Sequence, residues 1–85
     1  MEKSHASIEA WIKSYLADLL NTPLSDVSST TSFENFGLDS AAIVALTSDL
    51  SKWVGFELKS DLLFRYPDIQ SVARHVGDAQ LGAVS

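Results

Sequence analysis

The sequence contains no cysteine, and this absence excludes several kinds of chemistry. Without thiols the chain can form no disulfide, no thiolate metal site and no cysteine nucleophile, so thiol chemistry would have to arrive on a cofactor. Basic residues are also scarce: six Lys and Arg against eleven Asp and Glu give a formal net charge of −5. Because nucleic acids bind basic patches, we expect no nucleic-acid partner and expect basic protein partners instead.

Long hydrophobic runs are missing as well. Residues 1–5 lack the apolar segment of a secretory signal, and no later run approaches membrane-spanning length. We therefore expect neither export nor membrane insertion, and a cytoplasmic location. The 85 residues, 46% of them hydrophobic and 20% charged, predict one small globular domain, 1–85, whose single core is only just large enough.

The clearest helical pattern follows a short end, residues 1–6, that we expect to be frayed. Ser7 is a candidate N-cap, and Glu9 then falls in the first turn. Apolar residues recur at three- and four-residue spacing and predict one buried stripe, whose aromatic members we interpret as core and not as a ligand box. The stripe comprises Ile8, Trp11, Ile12, Tyr15, Leu16, Leu19 and Leu20.

Residues 21–39 predict a long loop. Pro23 and a Ser/Thr-rich stretch over residues 25–32 argue against a long helix, although one helical turn around residues 25–27 is compatible with the sequence. Phe33, Phe36 and Leu38 can fix the end of the loop on the core, and Gly37 permits a backbone conformation closed to other residues. A loop of this length in a compact domain usually has a function.

A second helix is predicted over residues 40–54, with Asp39-Ser40 at its start. Serine or aspartate at this position is an N-cap signal, and the positive end of the helix dipole favours phosphate. The pattern divides the helix into a core face and a second face of small, weakly polar residues. The core face is Ile43, Leu46, Thr47, Leu50 and Val54, with Trp53 at its edge. The second face is Ala41, Val44, Ala45 and Ser48, with Ser51 or Lys52. A face with so little charge predicts a covered surface, under either the long loop or a partner.

The last third of the chain predicts two further helices. Gly55 can end the second helix in a left-handed cap, and residues 59–65 allow one short turn whose apolar residues, Leu62 to Phe64, close over the core. Tyr66-Pro67 ends that turn, and Asp68 is a candidate cap for a final helix. Its inward residues are Ile69, Val72, Ala73 and Val76. After Gly77, we expect a flexible tail over residues 78–85, so the ordered core is about 7–77.

The residues give no sign of catalysis. Gly-Leu-Asp-Ser-Ala is not the Gly-x-Ser-x-Gly elbow of serine hydrolases, and a fold of this size offers little pocket. His5 and His75 are far apart in the sequence, so we expect neither a metal site nor an active site around them.

The ordered set of motifs resembles the acyl carrier protein family over about residues 8–76. These motifs are Phe36-Gly37-Leu38-Asp39-Ser40, the helix behind it, the turn at Gly55, and Leu63-Phe64-Arg65-Tyr66-Pro67-Asp68-Ile69. The resemblance implies an all-α four-helix bundle with three longer helices, one short helix before the last, and a long first loop. It also implies a non-catalytic carrier of polyketide or related fatty-acid biosynthesis.

In that family, 4′-phosphopantetheine is transferred from coenzyme A to the serine of the Asp-Ser motif, here Ser40. The resemblance implies that Asp39 presents this hydroxyl and that acyl groups are carried as thioesters on the arm. It assigns partner docking to Leu38, Ala41, Val44, Ala45 and Ser48. The implied partners are a phosphopantetheinyl transferase, an acyl-loading enzyme such as an acyltransferase or acyl-AMP ligase, and a ketosynthase or other synthase domain. We expect a monomer.

The chain departs from the fatty-acid-synthesis pattern at two positions. Ala41 and Ala45 stand where many members have a bulky leucine or methionine and a glutamate, so charge steering by basic partners should be weaker. Residues 46–55 are similar to the second helix of carriers that work beside fatty acyl-AMP ligases. The alternatives are a peptidyl carrier, or a small helical interaction module without an arm. Met1 and the short tail favour a free-standing protein over a synthase domain.

Overall fold

The computed structural model describes the backbone of residues 4–84 and the side chains of residues 4–79, and this part of the chain is helical apart from its loops. Within residues 4–84, four α-helices follow one another: α1 (His5–Leu20), α2 (Ser40–Val54), α3 (Leu62–Arg65) and α4 (Ile69–Val84). Two single-turn 3-10 helices, Leu24–Asp26 and Glu34–Phe36, lie in the loop between α1 and α2. The predicted bundle of three longer helices and one short helix is confirmed.

The start of α1 differs from the prediction, because Ser4 and not Ser7 is the N-cap. The Ser4 hydroxyl accepts a hydrogen bond from the backbone N–H of Ser7 at 3.1 Å, which moves the first helical residue to His5. Residues 4–6 therefore belong to the helix and its cap, whereas residues 1–3 lie outside the described part. Glu9 consequently lies beyond the first turn, where its carboxylate accepts a hydrogen bond from Ser29.

One apolar core fills the space between the helices. Thr47 is the one buried polar residue among those described, and its hydroxyl donates to the Ile43 carbonyl at 2.9 Å. In the α1 stripe, Ile8, Ile12 and Leu16 are buried as predicted and Leu19 is 49% exposed. The other members, Trp11, Tyr15 and Leu20, are partly buried against the core. The buried apolar residues are Ile8, Ile12, Leu16, Val27, Phe33, Ile43, Leu46, Leu50, Leu62, Leu63, Ile69, Val72, Ala73 and Val76.

The long loop is tied to the start of α4 as well as to the core. Its Phe33 side chain is buried, and the Phe33 backbone N–H donates to the Pro67 carbonyl at 2.7 Å. The Gln70 N–H donates to the Ser29 carbonyl at 3.0 Å. These two links hold the loop across the bundle, so the segment leading into α2 has a fixed starting point.

The end of α4 also differs from the prediction, because the helix continues through Gly77 to Val84. Gly77 is buried against the imidazole of His5, and a Cβ at this position would overlap that ring. A glycine inside a helix costs about 1 kcal/mol relative to alanine, so the sequence predicts a helix end at Gly77. Here the missing side chain lets the first turn of α1 approach α4. Helix α4 therefore includes residues 78–84, where the sequence predicted no helix, and Ser85 lies outside the described part.

Candidate functional site

The loop enters α2 through a tight corner at Gly37. This residue has φ 80°, and its N–H donates to the Glu34 carbonyl at 3.0 Å, which closes the second 3-10 turn. A left-handed conformation of this kind favours glycine, so the sequence interpretation of Gly37 is confirmed. Phe36 and Leu38, on either side, pack against the core and hold the corner down.

Asp39 is the N-cap of α2, and Ser40 is the first residue inside the helix. The Asp39 carboxylate accepts a hydrogen bond from the Ala42 N–H at 2.8 Å, while the Asp39 carbonyl accepts the Ile43 N–H at 3.0 Å. Of the two cap candidates in the sequence, Asp39 and Ser40, the structure therefore selects Asp39. The Ser40 side chain is exposed, and its hydroxyl makes no hydrogen bond within the described side chains.

The position of Ser40 also gives it a favourable electrostatic environment for an anion. The first amides of a helix have no intrahelical acceptor, and the helix dipole places partial positive charge at this end. A phosphate ester on this hydroxyl would lie beside those amides. The residues present therefore fit covalent attachment of a phosphate-linked group.

A groove of about 500 Å³ opens beside Ser40, between the end of the loop, the start of α2 and α3. Phe64 forms part of its wall with 63% of its side chain exposed. The prediction that Phe64 closes over the core is wrong: the single turn of α3 buries Leu62 and Leu63 and leaves the next residue on the outside. The groove is lined by Ser32, Phe33, Glu34, Leu38, Asp39, Ser40, Ile43, Leu63, Phe64 and Pro67.

The second face of α2 is exposed to solvent. Val44 is 52% exposed, and Ala41, Ala45 and Ser48 are also exposed, whereas Leu38 is half-buried at the corner. The sequence allowed two ways to cover this face, the long loop or a partner. Because the face is exposed, the long loop does not cover it. Residues 41, 44, 45 and 48 form one continuous stripe, which we call the α2 outer face.

Ser51, the sequence alternative to Lys52 on this face, has a structural task instead. Its hydroxyl donates to the Phe56 carbonyl at 2.8 Å and accepts the Leu58 N–H at 3.1 Å. It thereby fixes the connector that follows α2. Gly55 ends the helix with φ 87°, and its N–H donates to the Ser51 carbonyl at 3.0 Å, which confirms the predicted left-handed cap.

The acidic residue within α2 is directed away from the outer face. Asp49 accepts a hydrogen bond from the Tyr15 hydroxyl of α1 at 2.8 Å. Burial raises the pKa of Tyr15, and the hydrogen bond and the charge of Asp49 raise this pKa further. Trp53, at the edge of the core as predicted, stacks on Trp11 with ring centroids 5.3 Å apart. The α2 outer face therefore has no carboxylate of its own.

The two histidines lie elsewhere. His5 contacts Asp78 through Nε2 at 3.1 Å, and His75 stacks on Tyr66 with centroids 4.3 Å apart. Neither lines the groove beside Ser40. Among the side chains of residues 4–79, no cluster of His, Asp and Glu could hold a metal ion. No helix within residues 4–84 is long and apolar enough to cross a membrane.

Residues 10–76 match the family model described as "Phosphopantetheine attachment site". Since this match covers most of the chain, the protein belongs to the phosphopantetheine-binding carrier family, whose cofactor is covalently attached 4′-phosphopantetheine. The acyl carrier protein TtuC of Teredinibacter turnerae is 44% identical over 48 residues, which are 56% of this chain and 55% of TtuC. The polyketide synthase PksR of Bacillus subtilis is 32% identical over 77 residues, which cover 86% of this chain and 3% of that protein.

Two solved carrier structures superimpose closely. The acyl carrier protein Asl1650 of Anabaena sp. PCC 7120, which has a variant phosphopantetheinylation-site sequence, gives a TM-score of 0.85 at 31% identity, covering 93% of this chain and 91% of its own. A free-standing peptidyl carrier protein of Acinetobacter baumannii gives a TM-score of 0.84 at 25% identity, covering 91% of this chain and 96% of its own. The chain spans about half of TtuC and a small part of PksR. The predicted family, bundle fold and cofactor are confirmed.

Proposed function

We propose that Ser40 is the attachment site for phosphopantetheine and that the chain shuttles thioester-bound acyl groups between enzymes of polyketide or related lipid biosynthesis. This proposal rests on the different roles of Asp39 and Ser40 at the corner between the loop and α2. Because Asp39 caps α2, the adjacent Ser40 hydroxyl is exposed and has no competing hydrogen bond within the described side chains.

The transfer step places simple demands on the chain. The Ser40 Oγ forms a bond to the phosphorus that bears pantetheine, and the bond from that phosphorus to the bridging pyrophosphate oxygen breaks. Adenosine 3′,5′-bisphosphate leaves, and the serine proton passes to a base of the transferase. The transferase and its Mg²⁺ supply the chemistry. This chain supplies position: Asp39 and the Gly37 corner fix the first turn of α2, and the helix terminus stabilises the resulting phosphodiester.

The attached arm supplies the thiol that the sequence lacks. A tether of this kind raises the effective concentration of the acyl thioester at each partner site. We propose a cytoplasmic monomer that meets a phosphopantetheinyl transferase, an acyl-loading enzyme and a ketosynthase or other synthase domain. The chain itself is the substrate of the transferase and not a catalyst.

We further propose that partners dock on Leu38 and the α2 outer face. The α2 outer face begins one residue after Ser40, is exposed, and presents small side chains of which Ser48 alone is polar. Its lack of carboxylate charge favours partners whose contact is apolar. A fatty acyl-AMP ligase is our candidate for loading, because residues 46–55 are similar to carriers of such enzymes. Loading by a malonyl- or ketoacyl-transferring enzyme alone would remove that candidate.

A peptidyl carrier is the second candidate function, and the similarity to the peptidyl carrier of A. baumannii favours it. The two candidates differ in the group loaded onto the arm. The arm-bearing chain should be offered in parallel to an acyl-activating and an aminoacyl-activating enzyme. Loading by the aminoacyl enzyme alone would replace the acyl assignment with the peptidyl one.

Intact mass spectrometry tests the attachment. The chain is incubated with coenzyme A, Mg²⁺ and a broad-specificity phosphopantetheinyl transferase, beside Ser40→Ala and the matched control Ser14→Ala, which changes an exposed serine of α1. We expect the wild type and the control to gain one phosphopantetheine and Ser40→Ala to gain none. A folded wild type that gains nothing would point instead to an interaction module without an arm.

A further inference from the structure

The groove beside Ser40 has two kinds of wall. Its apolar wall includes the exposed ring of Phe64, whereas its rim bears the exposed carboxylates of Glu34 and Asp39. The groove lies on the other side of Ser40 from the α2 outer face, because it is bounded by the loop and α3. Any enzyme that acts on the Ser40 hydroxyl must approach between these two surfaces.

The carboxylates of the groove are the local charge that an approaching enzyme meets. The α2 outer face has none, since Asp49 is held by Tyr15. Glu34 is exposed and makes no hydrogen bond or ion pair through its side chain within the described residues. Asp39 uses one carboxylate oxygen, Oδ1, for the helix cap, and its other oxygen makes no hydrogen bond within the described residues. The carboxylates nearest Ser40 thus belong to the loop and to its corner with α2, and not to the α2 outer face.

We propose that this groove receives an arginine or lysine side chain from the phosphopantetheinyl transferase, and that Glu34 is a specificity-determining residue for that encounter. The inference rests on the proposed attachment at Ser40. A long basic side chain matches both walls, because its aliphatic stem can lie on Phe64 while its charged end meets the carboxylates. The transferase must also bind the phosphates of coenzyme A next to Ser40, so the mouth of its active site is positively charged.

The arm itself is the other occupant to consider. Beyond the phosphodiester, which is fixed at Ser40, the pantetheine part of the arm is uncharged and would leave the carboxylates at the rim of the groove without a cationic partner. A cationic occupant satisfies the same carboxylates and gives Phe64 an apolar cover. The charge of the rim therefore favours a partner side chain over the arm.

The test measures the rate of arm attachment with one purified transferase at low and high salt. We expect Glu34→Lys to lower kcat/KM about tenfold at low ionic strength, mainly through KM, and Glu34→Gln to lower it about threefold. The defect should shrink at about 0.5 M salt, because salt screens charges at such exposed sites. Phe64→Ser should lower kcat/KM about threefold, with little dependence on salt.

Two matched controls carry the same changes outside the groove. Asp26→Lys reverses an exposed carboxylate in the first 3-10 turn, and Leu24→Ser removes an apolar side chain that is 53% exposed. Both should be modified at the wild-type rate. If the Glu34 variants stay within twofold of Asp26→Lys while the wild type is still modified, the inference is overturned and the attachment site stands. Equal rates together with contacts between the arm and the Phe64 ring in nuclear Overhauser spectra would assign the groove to the arm instead.

Discussion

The two long faces of α2 serve opposite purposes. The inner face, Ile43, Leu46 and Leu50, is buried and joins α2 to the core, whereas the outer face presents Ala41, Val44 and Ser48 to solvent. One face fixes where Ser40 lies, and the other is exposed, as the proposed docking of partners requires. Substitutions on the two faces should therefore separate stability from carrier function, and the predictions below run from the largest expected loss of stability to the smallest.

Leu46→Ala should have the largest effect on stability. The side chain is fully buried, so its truncation removes apolar contacts and leaves a cavity, at a cost of about 2–5 kcal/mol in the free energy of unfolding. Chemical denaturation followed by circular dichroism measures this loss. Leu46→Met, which conserves volume, should lose less than about 1.5 kcal/mol. At a temperature where the variant is folded, arm attachment should proceed normally, and a selective loss of attachment would contradict the separation of faces.

Asp39→Ala should affect both properties. Loss of the hydrogen bond to the Ala42 N–H should cost about 1 kcal/mol of stability. The first turn of α2 should fray, so arm attachment should also slow. Asp39→Asn retains a capping oxygen and should restore most of the stability without restoring the negative charge. Recovery of full attachment by Asn would show that only the cap matters.

Tyr15→Phe should produce a small change with a distinctive pH dependence. Burial and the Asp49 carboxylate raise the pKa of Tyr15, so the folded state favours the protonated phenol. The corresponding stability is present below pH about 10 and is lost as the pH rises through the raised pKa. Wild-type stability should thus fall more steeply above pH 10 than that of Tyr15→Phe. Parallel curves for the two proteins would contradict this role of the hydrogen bond.

Val44→Asp should change stability least of these substitutions, within about 0.5 kcal/mol, because the residue is half exposed. It should nevertheless weaken productive encounters with the acyl-loading enzyme by placing a charge on the α2 outer face. Loading rates of arm-bearing Val44→Asp and of the control Leu24→Asp, each compared with wild type, measure this effect. Equal rates would remove the outer face from the proposed docking surface.

The same contrast explains how much of the molecule was predictable from sequence. The inner faces of α1, α2 and α4 follow helical periodicity, so Ile12, Leu50 and Val76 could be assigned to the core without coordinates. The left-handed glycines at 37 and 55 were equally readable, because few other residues tolerate that backbone conformation. These features depend on local pattern alone.

The features that were missed depend on contacts between distant segments. Gly77 suggested a helix end, and only the approach of His5 explains why the helix continues. Ser4 and Ser7 are equally good N-cap residues by sequence, and so are Asp39 and Ser40. In the structure, the hydrogen bonds from the Ser7 and Ala42 N–H groups assign the caps to Ser4 and Asp39. Phe64 was assigned to the core because a single turn is too short to show a period. The exposed ring of Phe64 forms part of the groove beside Ser40, which no sequence pattern indicated.

The most direct test of the account is the combined stability and mass measurement on Ser40→Ala. Because Asp39 supplies the cap, we predict that the free energy of unfolding of this variant lies within about 0.5 kcal/mol of the wild-type value. We also predict that the variant gains no phosphopantetheine. A loss of about 1 kcal/mol or more would mean that the hydroxyl caps the helix after all. Modification of Ser40→Ala by the transferase would contradict the assignment of the attachment site.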